Sequence, residues 1–575
     1  METGNEEFES QTQSASTYPN IIFILADQMK ASALKMYSEI GVHAPALQRL
    51  AGEGVRFNNG VTPHPLCVPA RVSMMTSRYA HATGSRRNET PMPPGQLHAF
   101  RIWKELGYTT GLIGKNHCFV AKSDLDLLDV RCELSHNGLP REAYIGEIPG
   151  TKGMEWVVPE EVISEAHSTR DTIAANVGGF DVGFAASDHP IEGYSSRAIV
   201  HQVEEFLDQV VQGNRFDGTF NNADRYTPFA LQVSFPDPHH PNEVPRDFFE
   251  SVPSESIVLP PTREDEFEGP EVPERNRVLY EILRLDNNTE EEIRDIVSTY
   301  LAMVRFVDEG VGRILDKLDD LGLRNDTIIV FTADHGDFAG EHNMFGKGGV
   351  YYDCLVRVPY IVSWTGGGVP QGIVDDNPVN TIDILPTILQ LSGVADFLAQ
   401  TDGLYQDEIP AAGPKLTIDT VSPWLQPEML RRLQGFPLPA VTGAGDRVAT
   451  YSEYGSGGMA FTMDMLNRLS QKNGSSAVLD SLWAREAEGR RKMVRTRIWK
   501  YVTDTGYGEG INDGSISRNQ DELYDLKNDP WELNNVAGDP RHAEVISEMR
   551  ALLLDWMLET EDYNPVVLPR TIGRS

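Results

Sequence analysis

Ile21-Ile22-Phe23-Ile24-Leu25-Ala26 is an unbroken apolar run, and it stops abruptly at Asp27-Gln28. A strand with one wet face alternates apolar and polar residues. This run does not alternate, so it reads as a central parallel strand covered on both faces. The pattern recurs along the chain. Tyr108–Gly114 delivers Lys115-Asn116-His117, Pro228–Phe235 delivers Pro236-Asp237-Pro238-His239-His240-Pro241, and Thr327–Ala333 delivers Asp334-His335-Gly336-Asp337. Val358–Trp364 is a further strand of this kind, and Val55–Phe57 a short one. Helical patterns fall between them at Leu47–Gly54, Leu97–Leu106, Ser195–Val211, Glu290–Leu321 and Thr381–Leu391. The alternation lasts from about residue 20 to about residue 395, which predicts a large, doubly wound, mostly parallel α/β sheet. In such sheets ligands gather at the carboxyl ends of the strands. The polar residues that end the runs are therefore the candidate site, although Asp27 also fits a helix cap.

Residues 1–19 are polar and acidic and read as a disordered leader, and the catalytic domain is expected over 20–430. Within it, 120–225 is irregular and reads as an insertion over the site, apart from its helix Ser195–Val211. Asp247–Asn287 is acidic and proline-rich and reads as surface loop, and 400–440 as a connector. Arg495–Val502 and Asp521–Leu526 alternate, and His542–Glu559 is an amphipathic helix. They predict a smaller C-terminal α+β domain over 440–560, with a tail at 561–575.

With 575 residues the chain exceeds one ordinary core, and its formal charge of −35 argues against nucleic-acid and anionic-membrane partners. The cysteines Cys67, Cys118, Cys132 and Cys354 show no disulfide or zinc-finger spacing. No signal peptide and no membrane-spanning run is visible, so a cytoplasmic protein is expected, or a periplasmic or secreted one if a signal was removed.

The remaining signal is His64-Pro65-Leu66-Cys67-Val68-Pro69-Ala70-Arg71. A proline two residues after Cys67 places the cysteine at or before a helix start, with Arg71 about one turn inside. A sulfur at a positive helix end with a guanidinium beside it is an anion-binding corner. Taken alone, it fits a buried structural cysteine equally well. The strand ends weigh against that. Asp27, Gln28, Asp334 and His335 offer mainly oxygen ligands, suited to calcium or magnesium. Arg71, Lys115 and Lys347 would neutralise an oxyanion ester, and His117, His239 and His240 could move protons.

These residues in this order resemble the type I sulfatases of the alkaline phosphatase superfamily. The resemblance is carried by Cys67-x-Pro69-x-Arg71, Asp27-Gln28, Gly114-Lys115-Asn116-His117, Pro238-His239-His240-Pro241, Asp334-His335-Gly336 with Lys347, and Glu522-Leu523-Tyr524-Asp525-Leu526 near the C-terminus. It implies a sulfatase that cleaves a small-molecule or carbohydrate sulfate monoester to alcohol and sulfate. Cys67 would be converted to Cα-formylglycine by a maturation enzyme that reads the motif. The hydrate would attack the sulfur, and the covalent sulfo-enzyme would collapse unaided. Asp27, Gln28, Asp334 and His335, with position 67, would hold Ca²⁺, with Mg²⁺ and Mn²⁺ as alternatives. Arg71 and Lys115 would support position 67, and His117 would act as base. His239 and Lys347 would contact the sulfate and assist the leaving alcohol; His240 is the alternative to His239.

The chain departs from the family's usual pattern at Gln28, Ala70, Ser77 and Asn116. Asn88 lies where related phosphonate monoester and phosphodiester hydrolases contact substrate, and these are the competing expectation. The Lys115/His117 pair favours the sulfatase. The tail leaves room for a homo-oligomer.

Overall fold

The structure is a computed structural model. It describes residues 18–135, 138–140, 149–168, 174–177, 180–214, 216, 227–269, 272–394, 423–425, 427–455, 463–470, 491–504 and 521–561. Most of the expected leader, the 561–575 tail beyond its first residue and much of the 400–440 connector lie outside the described residues.

In chain order the strands are β1 Asn20–Ala26, β2 Gly54–Val61, β3 Thr109–Lys115, β4 Val130–Leu134, β5 Thr151–Lys152, β6 Ala174–Val177, β7 Phe180–Ser187 and β8 Phe229–Phe235. They continue as β9 Asn242–Pro245, β10 Thr327–Ala333, β11 Tyr360–Ser363, β12 Ile373–Asn380, β13 Thr450–Tyr454, β14 Arg491–Arg495, β15 Trp499–Asp504 and β16 Glu522–Asp525. Nine form the main sheet in the order β12-β2-β11-β10-β1-β8-β3-β4-β5. β1 is central, parallel to both β10 and β8, and β3 is parallel to β8 and β4. This is the expected α/β architecture, with a four-stranded antiparallel sheet, β13-β14-β15-β16, in the C-terminal region.

The burial of β1 explains its unbroken apolar run. Ile22 and Ile24 join one core with Ile113, Val233, Ile329 and the helices Ser195–Val211 and Glu290–Asp320. Ile21, Phe23 and Leu25 join the opposite core with Val68, Val72, Phe100 and Leu385. Successive side chains point to opposite faces, and here both faces are dry.

Several expectations need correction. β11 runs antiparallel to both β10 and β2, so it is a reversed strand inside a mostly parallel sheet. The 120–225 stretch is only partly an insertion. β4 extends the main sheet beside β3, and the helix Ser195–Val211 covers that sheet. Asp247–Asn287 is not all surface loop. Glu274–Leu283 is a helix that buries Asn276, Val278, Leu279 and Ile282 against the segment around Tyr352. The single strand expected over Arg495–Val502 straddles a tight hairpin between β14 and β15. Thr496 closes it, its N–H donating to the Trp499 carbonyl at 2.8 Å and its Oγ1 accepting from the Trp499 N–H at 2.9 Å.

Candidate active site

β1, β3, β8 and β10 are parallel, so their carboxyl ends lie along one edge of the sheet. Over this edge sits the helix Cys67–Thr76, with Cys67 as its first residue and Leu66 as N-cap. The expectation that Cys67 opens a helix and Arg71 lies one turn inside is met. Leu66 gives the helix no side-chain cap. Asn88 supplies one from the neighbouring loop, its Oδ1 accepting from the Val68 N–H at 3.2 Å.

Arg71 joins the strand ends. Its side chain is 1 % exposed. Nη2 donates to Asp27 Oδ2 at 2.8 Å, Nε to Asp334 Oδ2 at 2.8 Å, and Nη1 to Ser234 Oγ at 2.9 Å and the Lys115 carbonyl at 3.2 Å. One guanidinium thus touches the ends of β1, β3, β8 and β10. Lys115 Nζ makes a second ion pair with Asp27 Oδ2 at 2.5 Å. Burial pushes the Asp27 carboxyl up, but Lys115, His239, Arg71 and Lys347 hold it well below the usual carboxylate range.

Four potential ligand atoms, from Asp27, Cys67, Asp334 and His335, lie within 4.8 Å of one another, and all four residues are buried. His335 supplies a test of fit to a cation. Its Nδ1 lies 2.9 Å from the Gly336 carbonyl, which can only accept. Nδ1 therefore carries a proton, and Nε2, 3.0 Å from Cys67 Sγ, is the ring nitrogen left to face a cation. Gln28 shows the same logic. Its Nε2 donates to the Asp337 carboxylate, so Oε1 faces the site and accepts from Lys347 Nζ at 2.7 Å. The donors are thus two carboxylates, an amide oxygen and one imidazole nitrogen, which fits a hard divalent cation.

Lys347 Nζ also lies 3.1 Å from Cys67 Sγ. Burial and the Asp27 charge push the Cys67 thiol up, but Lys347, His335 and Lys115 outweigh them and hold it below its ordinary value. Two strand-end residues take left-handed backbone angles, Gln28 with φ 65° and His117 with φ 48°. Such conformations are costly for residues with a Cβ and cluster where side chains must be aimed. At Gln28 the cost is met by its N–H donating to Asp334 Oδ1 at 3.0 Å and its carbonyl accepting from Tyr300 Oη at 2.9 Å. At His117 the turn is built by Asn116. Its Oδ1 accepts from the Cys118 and Phe119 N–H groups, and its Nδ2 donates to Glu133 Oε1 at 3.1 Å.

His239 is buried and half-buried His240 stacks on it, with ring centroids 4.1 Å apart. His239 Nδ1 lies 2.5 Å from the His240 carbonyl. Burial, then the charges of Lys347, His240 and Lys115, holds His239 well below its ordinary value. Burial and the same lysines bring His240 to about 3. Three partners in the site had no signal in the sequence reading. Ser234 is a single hydroxyl inside an apolar strand, Asp337 was one polar residue among several in a loop, and Glu133 lay in the presumed insertion.

The sulfatase family model matches residues 19–394. The chain belongs to the sulfatase family. The ulvan-active sulfatase of Formosa agariphila is 28 % identical over 391 residues, 67 % of this chain and 63 % of that protein. The choline-sulfatase of Rhizobium meliloti is 25 % identical over 540 residues, 91 % of this chain and 83 % of its own length. Among solved structures, the phosphonate monoester hydrolase of Silicibacter pomeroyi superposes with TM-score 0.64 at 20 % identity, over 95 % of this chain and 96 % of that one. The expected enzyme class, a sulfuric ester hydrolase, is that of the family. Among the described residues no helix is long and apolar enough to cross a membrane.

Proposed function

We propose that this sulfatase-family chain hydrolyses a sulfate monoester to an alcohol and inorganic sulfate at the Cys67 site. The observation that carries the reading is the placement of Cys67 Sγ between His335 Nε2 at 3.0 Å and Lys347 Nζ at 3.1 Å, over the paired Asp27 and Asp334. Converted to formylglycine, position 67 supplies a hydrated aldehyde that can accept and then release a sulfuryl group, and a Ca²⁺ ion supplies charge for the sulfate oxygens.

The chain's residues then have separable tasks. Asp27, Gln28, Asp334 and His335 would hold the cation. Arg71 pairs with both carboxylates and Lys115 with Asp27, which holds the two side chains in place despite full burial. The Asn88 cap fixes the start of the helix and hence the position of residue 67, and leaves its Nδ2 to meet the ester. Lys347 donates from its ammonium to the ester oxygens and the departing alcohol. Burial and the neighbouring lysines favour the neutral His239 ring, and a bound sulfate's negative charge would raise its proton affinity beside the leaving oxygen. His117, at the end of β3, is the base for release of sulfate.

The fold likeness to a phosphonate monoester hydrolase supports a second reading, in which the same residues accept a phosphonate or phosphate diester. The test compares kcat/KM for 4-nitrophenyl sulfate and 4-nitrophenyl phenylphosphonate, on enzyme co-expressed with a formylglycine-generating enzyme. Peptide mass at Cys67 is read in parallel. Conversion at Cys67 with a higher kcat/KM for the sulfate is expected. An unconverted thiol, or a preference for the phosphonate, would overturn the first reading.

A further inference from the structure

Lys347 stands on a segment without regular secondary structure, yet its ammonium must reach the nucleophile. On its N-terminal side the segment is held by the catalytic domain. The Gly346 N–H donates to Asp337 Oδ1 at 3.0 Å, and the Gly346 carbonyl accepts from the Phe338 N–H at 2.9 Å. On its C-terminal side the holding groups come from the other sheet. Arg491, on β14, donates from Nη1 to the Gly349 carbonyl at 3.0 Å, two residues from Lys347. Tyr351 Oη donates back to the Arg491 carbonyl at 2.8 Å, and Lys500 Nζ on β15 donates to the Tyr351 carbonyl at 2.6 Å.

The fit is close. A Cβ on Gly349 would lie 2.2 Å from the Tyr454 ring of β13, and one on Gly348 would lie 2.5 Å from Leu279. Glycine is needed at both positions because side chains press directly on the backbone. Arg491 is fully buried, and its charge is met by Glu522 on β16. Glu522 accepts in turn from Asn276 Nδ2 at 2.9 Å and from Tyr524 Oη at 2.8 Å. The anchor is itself anchored.

We infer that Arg491 of the C-terminal sheet is a positioning residue for Lys347, so that the C-terminal domain completes the catalytic site. The inference rests on the reading of Lys347 as the group that assists the departing alcohol. A lysine would keep the charge at 491, but it lacks the planar fork that reaches Gly349 and Glu522 together. The Lys347 loop then loses one tether while the fold keeps its ion pair.

The test uses the formylglycine-converted, calcium-loaded enzyme and a series of phenyl sulfates of rising leaving-group pKa. Good leaving groups need little help from Lys347 and poor ones need much. Arg491→Lys is expected to lose no more than about threefold in kcat/KM on 4-nitrophenyl sulfate and roughly tenfold or more on phenyl sulfate, a steeper dependence on leaving-group pKa. Lys347→Ala should steepen it further, and Arg491→Lys added to Lys347→Ala should cost nothing more. If Arg491→Lys fails to fold, Arg491→Met/Glu522→Gln replaces the buried pair with neutral groups and removes the same tether. A loss uniform across the series, or additive with Lys347→Ala, would overturn the inference while the sulfatase reading stands. A wild-type enzyme inert towards every aryl sulfate would overturn both.

Discussion

Replacing Arg71 with methionine should destabilise the protein more than replacing Lys115, although both cations touch Asp27. The asymmetry follows from what each removal leaves behind. Without Lys115, Asp27 keeps Arg71 Nη2 at 2.8 Å. The loss is then about one charge-assisted hydrogen bond, ~1.5–3 kcal/mol. Without Arg71, Asp27 keeps Lys115 at 2.5 Å, but Asp334 loses its one close guanidinium and keeps the N–H groups of Gln28 and His335, with His335 Nε2 no nearer than 3.8 Å. Breaking a buried pair from one side costs ~3–5 kcal/mol. With an unfolding entropy of about 2.1 cal/mol/K per residue over roughly 400 residues, these become about 2–4 °C for Lys115→Met and about 4–6 °C for Arg71→Met. The assay is scanning calorimetry on the unconverted thiol protein at pH 7.5, so that the role of Arg71 in the maturation motif does not enter. That pH captures the whole effect. The folded-state pKa of Asp27 is depressed, so its stabilisation is complete above the ordinary carboxylate range and fades only as pH falls through the depressed value. Adding Asp334→Asn to Arg71→Met should recover part of the loss, because an amide needs no counter-charge. An Arg71→Met shift below about 1 °C, or one equal to that of Lys115→Met, would refute the argument.

Three further outcomes are expected. Cys67→Ala should lower kcat/KM for an aryl sulfate by at least about 10³-fold with an unchanged melting temperature, and activity within tenfold of wild type would remove Cys67 from the chemistry. Calcium at a hundred times its Kd should stabilise the protein by about 2.7 kcal/mol over a chelated sample; Asp334→Asn should abolish the shift and Ser234→Ala keep it, and a shift that survives Asp334→Asn would place the ion elsewhere. Burial raises the Glu133 carboxyl to about 7, opposed by Arg131 and by the Asn116 bond. A raised acid destabilises the fold as pH climbs from the unfolded value towards the folded one, here by roughly 3 kcal/mol at about 1.4 kcal/mol per unit. Glu133→Gln should therefore gain stability over wild type at pH 8 and not at pH 4.5, and equal melting differences at the two pH values would dispose of the effect.

What the sequence disclosed depended on whether the cause of a feature was local. β1, β3, β8 and β10 were legible because burial on both faces leaves its mark on every residue of a strand. Cys67 at a helix start was legible because Pro69 restricts the backbone at that point. The direction of β11 was not, because a short run such as Tyr360-Ile361-Val362-Ser363 looks the same whether a strand runs up or down. The helix Glu274–Leu283 was hidden in an acidic, proline-rich stretch because what it packs on, the segment around Tyr352, lies some seventy residues away in the chain. Ser234 and Arg491 fail as sequence signals for the same reason. Each is an ordinary residue in an ordinary strand until the fold brings it to Arg71 or to Gly349.

The division has a physical basis that bears on the site. Most of the residues proposed to meet the ester or the cation lie at the ends of legible elements, so the motif could be read. The residues that hold them in place are spread across the chain and recognisable only by contact. Arg71 belongs to both groups. It stands in a short motif, and its four hydrogen bonds run to β1, β3, β8 and β10, or to the residue just beyond them. A change there removes a partner from both carboxylates at once and frees their spacing. Among the residues that hold others in place, Arg71 and the Lys347 clamp are therefore where alterations should change the chemistry and not merely the stability.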